Sequence, residues 1–146
     1  MIELADPIVL DEYGSLPDAD QLDVMKTRRG KQDTTFTAVG YGLQRINPVF
    51  VEADRVRMFA EPHLIQINTP GFIGDFSPLL SNSYSTGGTC FGDSGGPNFL
   101  SSGDMETNII AGVTSFGLNG KCAGNGEIFG MDRQNTLDFV KNFMNE

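Results

Sequence analysis

Glycine and proline interrupt this sequence so often that only one stretch, Asn135 to Met144, reads as a helix. Eighteen of the 146 residues are glycine, where roughly ten would be usual, and seven more are proline. Glycine weakens helix and strand interiors, and proline stops helices, so a chain punctuated this way points to short strands joined by turns. The expected class is all-β. Thr35-Phe36-Thr37-Ala38-Val39 is β-rich and stops at Gly40-Tyr41-Gly42. Val49 to Ile67 is a longer β-favouring run, with Pro62 marking an edge or a bulge. Ile109 to Phe116 and Ile128 to Met131 read as buried strands, whereas residues 68–97, dominated by Gly, Pro, Ser, Asn and Thr, read mostly as loop. In the one helix, Leu137, Val140 and Met144 share a face, with Phe139 and Phe143 alongside. Residues 1–33 read as a strand-like start, then a segment crossing a surface with a charged run from Lys26 to Lys31.

A chain of this length makes one domain of ordinary size. Nineteen acids against ten bases leave a net charge of −9. That balance offers neither a basic footprint for nucleic acid nor a polybasic patch for a membrane. No apolar run approaches the roughly 18 residues of a spanning helix, so a soluble chain without nucleic-acid or membrane partners is expected. Met1-Ile2-Glu3-Leu4-Ala5-Asp6 has no cationic start and no long apolar stretch, and is not read as a signal peptide. His63 is the only histidine, which excludes a metal site needing two, and no metal or cofactor is expected. Cys90 and Cys122 are too few for a zinc ribbon. A single disulfide in an oxidising compartment and a pair of buried thiols both remain open from the residues alone.

One motif stands above the rest: Thr89-Cys90-Phe91-Gly92-Asp93-Ser94-Gly95-Gly96-Pro97. Glycines beside a serine allow unusual torsions and close approach of a substrate to the main chain. Such a serine can present its oxygen to a carbonyl while neighbouring N–H groups face the developing oxyanion. The segment also fits the nucleophile elbow of α/β-hydrolases, but that elbow needs a helix directly after the serine and a histidine later in the chain. Gly95-Gly96-Pro97 would break a helix, and no histidine follows Ser94.

Gly-Asp-Ser-Gly-Gly-Pro resembles the nucleophile loop of the chymotrypsin/trypsin-like serine endopeptidases. Gly40-Tyr41-Gly42 is similar to that family's Gly-aromatic-Gly turn, and Ser115-Phe116-Gly117 to its substrate-binding strand. The resemblance covers residues 34–146, all of it the family's second barrel. It implies a six-stranded antiparallel Greek-key β-barrel closed by the C-terminal helix, with Asp132 preceding that helix. Residues 1–33 would then be the inter-barrel connector, opening on a remnant of the first barrel's last strand. The resemblance also implies a Cys90–Cys122 disulfide joining two loops around the specificity pocket. It casts Ser94 as nucleophile and Gly92, Asp93 and Ser94 as the oxyanion loop, with Asp93 paired to an α-amino terminus made by zymogen cleavage. Gly88 would lie at the pocket base, with Ser115, Phe116, Gly117 and Gly126 along its walls. An uncharged Gly88 and open walls favour a large apolar or aromatic side chain over Lys or Arg; a one-residue slip would instead put Glu127 in the pocket.

The family's histidine base and aspartate come from the first barrel, in the order His, Asp, Ser. The resemblance puts that aspartate about three residues before Met1, so the chain is read as the C-terminal half of a secreted, extracellular protease. The expected function is peptide-bond hydrolysis through an acyl-enzyme on Ser94, with a peptide or protein substrate and the missing barrel as partners. Alone, the chain is expected to be inactive; a non-catalytic protease-like binding module is the alternative. His63, with Asp75, is in superficially suitable order for a triad, but falls in a strand-like run and reads as structural. Arg28-Arg29 reads as a solvated charge run rather than a processing site.

Overall fold

A computed structural model describes residues 1–25, 33–46, 51–67, 77–102 and 105–144. Thus the Lys26–Lys31 run with Arg28-Arg29, Asp75 and the start of the Val49 run lie outside the described residues.

Among the described residues, the β-rich runs form nine strands: β1 (Phe36–Gly40), β2 (Arg45–Ile46), β3 (Val51–Glu52), β4 (Met58–Ala60), β5 (Leu64–Gln66), β6 (Leu79–Asn82), β7 (Pro97–Ser102), β8 (Met105–Gly117) and β9 (Gly124–Gly130). A helix, α1 (Gln134–Met144), follows. Strands β2 and β3 pair as a small separate hairpin. The other seven form one antiparallel sheet in the order β4-β1-β7-β8-β9-β6-β5.

That sheet curls back on itself. β4 pairs with β1 and β5 with β6, yet both belong to one run kinked at Glu61-Pro62. The kink is stitched to β1 by the Thr35↔His63 bridge and by the Phe36 and Leu64 N–H groups, which donate to Pro62 O at 2.9 Å and Thr34 O at 2.8 Å. Counted as one bent strand, β4–β5 closes a six-stranded barrel, the architecture expected from the sequence. Pro62 can accept but not donate in a ladder, which suits the bend.

Alternation along the strands decides what lies inside. Phe36 and Ala38 of β1 and Leu100 of β7 point inward, where they meet Leu64, Leu80, Ala111 and Ile128. Outward on the same two strands stand Thr35, Thr37, Val39, Pro97, Phe99 and Ser101.

The described part of residues 68–97 is mostly loop, as expected, apart from β6 and the first residue of β7; only two apolar residues, Leu79 and Leu80, mark β6, too few to stand out between serines and asparagines. Two expectations need correcting. The segment before residue 34 does not merely cross a surface: a 3-10 helix, Gln21–Met25, pushes Leu22 into the core at 2% exposure. Its seat is Asp132, whose carboxylate accepts from Leu22 N at 2.9 Å while its carbonyl accepts from Asp20 N at 2.9 Å. Arg133 completes the clasp to Asp23 and Asp20 at 2.8 and 2.7 Å, and its hydrogen bond to Asp23 foremost raises the guanidinium pKa. The expected helix α1 buries Leu137 and Val140, while Phe139 and Met144 are exposed. The opening residues 1–14 contain no strand, and Ile2, Val9 and Leu10 are exposed.

Candidate active site

The Ser94 loop is tied down on both sides by its own backbone. Asp93 N donates to Cys90 O at 3.1 Å and Gly96 N to Asp93 O at 2.9 Å. Gly95 N then donates to Thr114 O, and Thr114 N to Gly96 O, both at 2.9 Å, which fastens the loop to β8. Two glycines adopt positive φ here: Gly92 at +97° and Gly95 at +86°. A side chain would strain either, and a Cβ on Gly92 would also press to 3.0 Å on Gly42 Cα.

Asp93 is the keystone of the loop. Its Oδ1 accepts from Gly42 N at 2.7 Å and its Oδ2 from Cys90 N at 2.8 Å. This explains the Gly-aromatic-Gly turn physically: a Cβ on Gly40 or Gly42 would overlap the Asp93 carboxylate. Leu43 N adds a bond to Phe91 O at 2.9 Å. Both carboxylate oxygens are thus satisfied by N–H groups of this chain, where the resemblance implied an α-amino terminus. A cavity of about 170 Å³ nevertheless lies beside Asp93, walled by Val39, Gly42, Phe59 and Thr89 among others.

The consequence for Ser94 is exposure. Among the described residues, neither its Oγ nor its N–H, nor the N–H of Gly92, is given to another group. A hydroxyl and two N–H donors are therefore left together on one turn.

The predicted pocket residues are distributed around this turn. Ser115, Phe116 and Gly117 end β8, and the register against β9 jumps from Thr114↔Ile128 to Phe116↔Glu127, leaving Ser115 as the extra residue of a bulge. Gly117 pairs with Gly126, whose missing side chain would face Thr89 Oγ1 at 3.2 Å. The disulfide is present, with Cys90 and Cys122 Cα atoms 5.2 Å apart. Asn119 shapes the turn before Cys122, accepting from Lys121 N at 2.9 Å and donating to Ala123 O at 2.7 Å.

Glu127 is on the opposite face of β9 from Gly126, paired with Leu79 and Phe116. It is fully buried with no hydrogen-bond partner for either carboxylate oxygen, and this desolvation raises its pKa. His63 is far from the chemistry. It pairs with Thr35 at the start of β1, whereas the Ser94 loop meets the Val39–Gly42 end, five residues or about 16 Å along the strand.

Sequence reasoning missed two polar residues that bond to neighbours of the Ser94 loop, Thr114 and Thr89. Asn98, fully buried on β7, donates to Thr114 Oγ1 at 2.9 Å. Asn82, at the end of β6, donates through Nδ2 to Thr89 O at 2.8 Å, and its side chain fills the space into which a side chain on Gly88 would project. No local motif announces either, since each acts through a neighbour distant in sequence.

Comparison with known proteins places this geometry. The family model described as Trypsin matches residues 25–138. No curated protein matches the chain. Among solved structures, the scabies mite inactivated protease paralogue S-I1 is similar with a TM-score of 0.65 at 16% identity, covering 99% of this chain and 59% of its own. A mutant of human heparin binding protein is similar with a TM-score of 0.57 at 19% identity, covering 83% of this chain and 48% of its own. The chain therefore spans about half the length of the structures it matches.

Proposed function

Because the chain belongs to the trypsin family, we propose that it is the nucleophile-bearing half of a secreted serine endopeptidase, completed by a first barrel that supplies histidine and aspartate. The observation that carries this reading is the Asp93 clamp, which leaves Ser94 exposed beside two unengaged N–H groups. In the completed enzyme, Ser94 Oγ forms a bond to the scissile carbonyl carbon while its proton passes to the histidine. The N–H groups of Gly92 and Ser94 hold the oxyanion. The carbon–nitrogen bond then breaks, the amine leaves with the histidine's proton, and water hydrolyses the ester to free Ser94. Ser115 to Gly117 would align the substrate backbone, and Gly88 and Gly126 would border the side-chain pocket. Residues 1–33 serve as the connector to the first barrel, and residues 34–146 as the second barrel. The disulfide supports an extracellular setting, where oxidised cysteines persist.

A second reading, a protease-like binding module without catalysis, is favoured by one observation: the chain's only histidine is at the far end of β1 from Ser94. Fluorophosphonate labelling separates the two. The chain joined to a first barrel carrying both missing residues should label at Ser94, and Ser94→Ala should abolish the label. A folded joined protein that never labels would favour the binding module.

A further inference from the structure

We propose that Asn98 is a positioning residue for Ser94: its buried carboxamide fixes Thr114, and Thr114 fixes the two residues that follow the serine. The inference rests on the endopeptidase reading for what Ser94 does, and its own evidence is a chain of hydrogen bonds. Asn98 Nδ2 donates to Thr114 Oγ1 at 2.9 Å. The main chain of the same threonine makes the next link, its C=O accepting from Gly95 N and its N–H donating to Gly96 O, each at 2.9 Å. Gly95 depends on that link. Its φ is +86°, and apart from its chain neighbours no atom lies within 4 Å of a Cβ built on it.

A carboxamide in the barrel wall is costly, so its presence calls for a reason. Asn98 faces inward on β7 at 0% exposure, paired with Ala38 of β1 and Gly112 of β8, neither of which offers a polar side chain. Its Oδ1 is buried and has no hydrogen-bond partner among the described residues. An aliphatic residue would avoid that desolvation cost. What the carboxamide supplies, and an aliphatic residue cannot, is a directed bond to Thr114, the diagonal neighbour two residues along β8 from Gly112. Thr114 is where β8 needs such a bond. Its pairing with Ile128 is the last before the Ser115 bulge interrupts the β8–β9 ladder, so the ladder no longer fixes the strand beyond it. On its other side Thr114 carries the Ser94 loop. The side-chain bond therefore sets where Gly95 and Gly96 stand, and with them the serine.

Hydrogen exchange measures this support without relying on turnover. In ¹⁵N-labelled chain 1–146, the Gly95 amide is followed beside that of Phe36, a core amide bonded to Pro62 O. Replacing both partners, Asn98→Val with Thr114→Val, leaves neither side chain with an unpaired polar group and should keep the urea midpoint unchanged or raise it. Gly95 exchange should nevertheless quicken about five- to tenfold relative to Phe36, the worth of one hydrogen bond. Thr114→Ser, which keeps the hydroxyl, should hold the original rate where Thr114→Val alone does not; that pair serves if the double variant fails to fold. Gly95 exchange that is unchanged in the valine variants, or that quickens only in step with Phe36, would overturn the proposal. In the chain joined to a first barrel, the double variant should label with fluorophosphonate about tenfold more slowly at equal stability, and equal labelling would also overturn it. A joined protein that never labels, with Gly95 responding as expected, would retire the peptidase reading and leave the support of the loop by Asn98 standing.

Discussion

Asp93 holds the Ser94 loop because a carboxylate can accept two N–H bonds at once and because glycines make room for it. Charge-assisted bonds of this kind contribute about 1.5–3 kcal/mol each. Gly40→Ala, which puts a methyl group where Asp93 Oδ1 stands, should therefore destabilise the chain by about 2–3 kcal/mol in urea denaturation. Asp93→Ala should cost a similar amount, and the double variant little more than either alone, since both remove the same contact. Additive losses would show that the turn and the carboxylate act independently. Ser94→Ala, by contrast, changes an exposed group with no described partner and should leave stability within about 0.5 kcal/mol. The unusual conformation of this loop was legible from six consecutive residues, because strained turns and close backbone approach both demand glycine. Asn82 was not legible, because nothing near it in sequence reveals that it will fill the space beside Gly88.

Two predictions concern how elements are joined. The Cys90–Cys122 bond closes a loop across a separation of 32 residues between the nucleophile segment and the turn before β9. Its reduction should lower stability by roughly 3–4 kcal/mol, read as a shift in the urea midpoint with and without reductant. The second prediction comes from the β6–β9–β8 ladder, which buries Glu127 without a partner. The folded-state pKa lies above the ordinary value of 4.5, so below that pH both states carry the proton and nothing is lost. As pH rises from 4.5, the unfolded chain releases its proton while the folded chain retains it, and stability falls until the folded pKa is passed. Glu127→Gln should remove this loss, so its advantage over the unaltered chain should grow as pH rises above 4.5 in urea titrations. An advantage that does not change with pH would mean that the carboxyl finds compensation. β6 escaped the sequence reading because its two leucines are too short a signal. Apolar spacing in α1 marked which residues align, and packing decided that Leu137 and Val140 are the ones covered.

For the molecule as a whole, what the fold leaves uncovered matters most. Met58 and Phe59 on β4 are 52% and 68% exposed, and β1, β4 and β7 border an outer groove of about 880 Å³. Phe139 and Met144 on α1 and several apolar residues of the opening segment are exposed as well. Apolar surface of this extent favours association. The isolated chain should self-associate at raised concentration in sedimentation experiments, and Phe59→Ser should reduce it. The chain alone should also fail to hydrolyse fluorogenic peptides at a protease-like rate. Without a base, Ser94 is almost wholly protonated, and an oxyanion site with binding retains at most about 10³–10⁴-fold over water. Robust turnover lost in Ser94→Ala would contradict this and would require a base other than His63 in its present place.

The amino-acid order alone determined the barrel class, the strands around Gly40 and Gly112, the single C-terminal helix and the glycine-rich turn that carries Ser94. Each is written locally, in turn residues, in alternation or in a contiguous motif. Tertiary structure alone decided the rest. The kink at Pro62 closes the barrel because one run finds a different partner on each side of it. Leu22 enters the core because Asp132, 110 positions away, satisfies its N–H. His63 is set apart from Ser94 by the length of β1, and Glu127 is buried because β9 pairs with β6 on one side and β8 on the other. These outcomes depend on which surfaces meet, and pairings between distant residues leave no periodic trace in the order of a single chain.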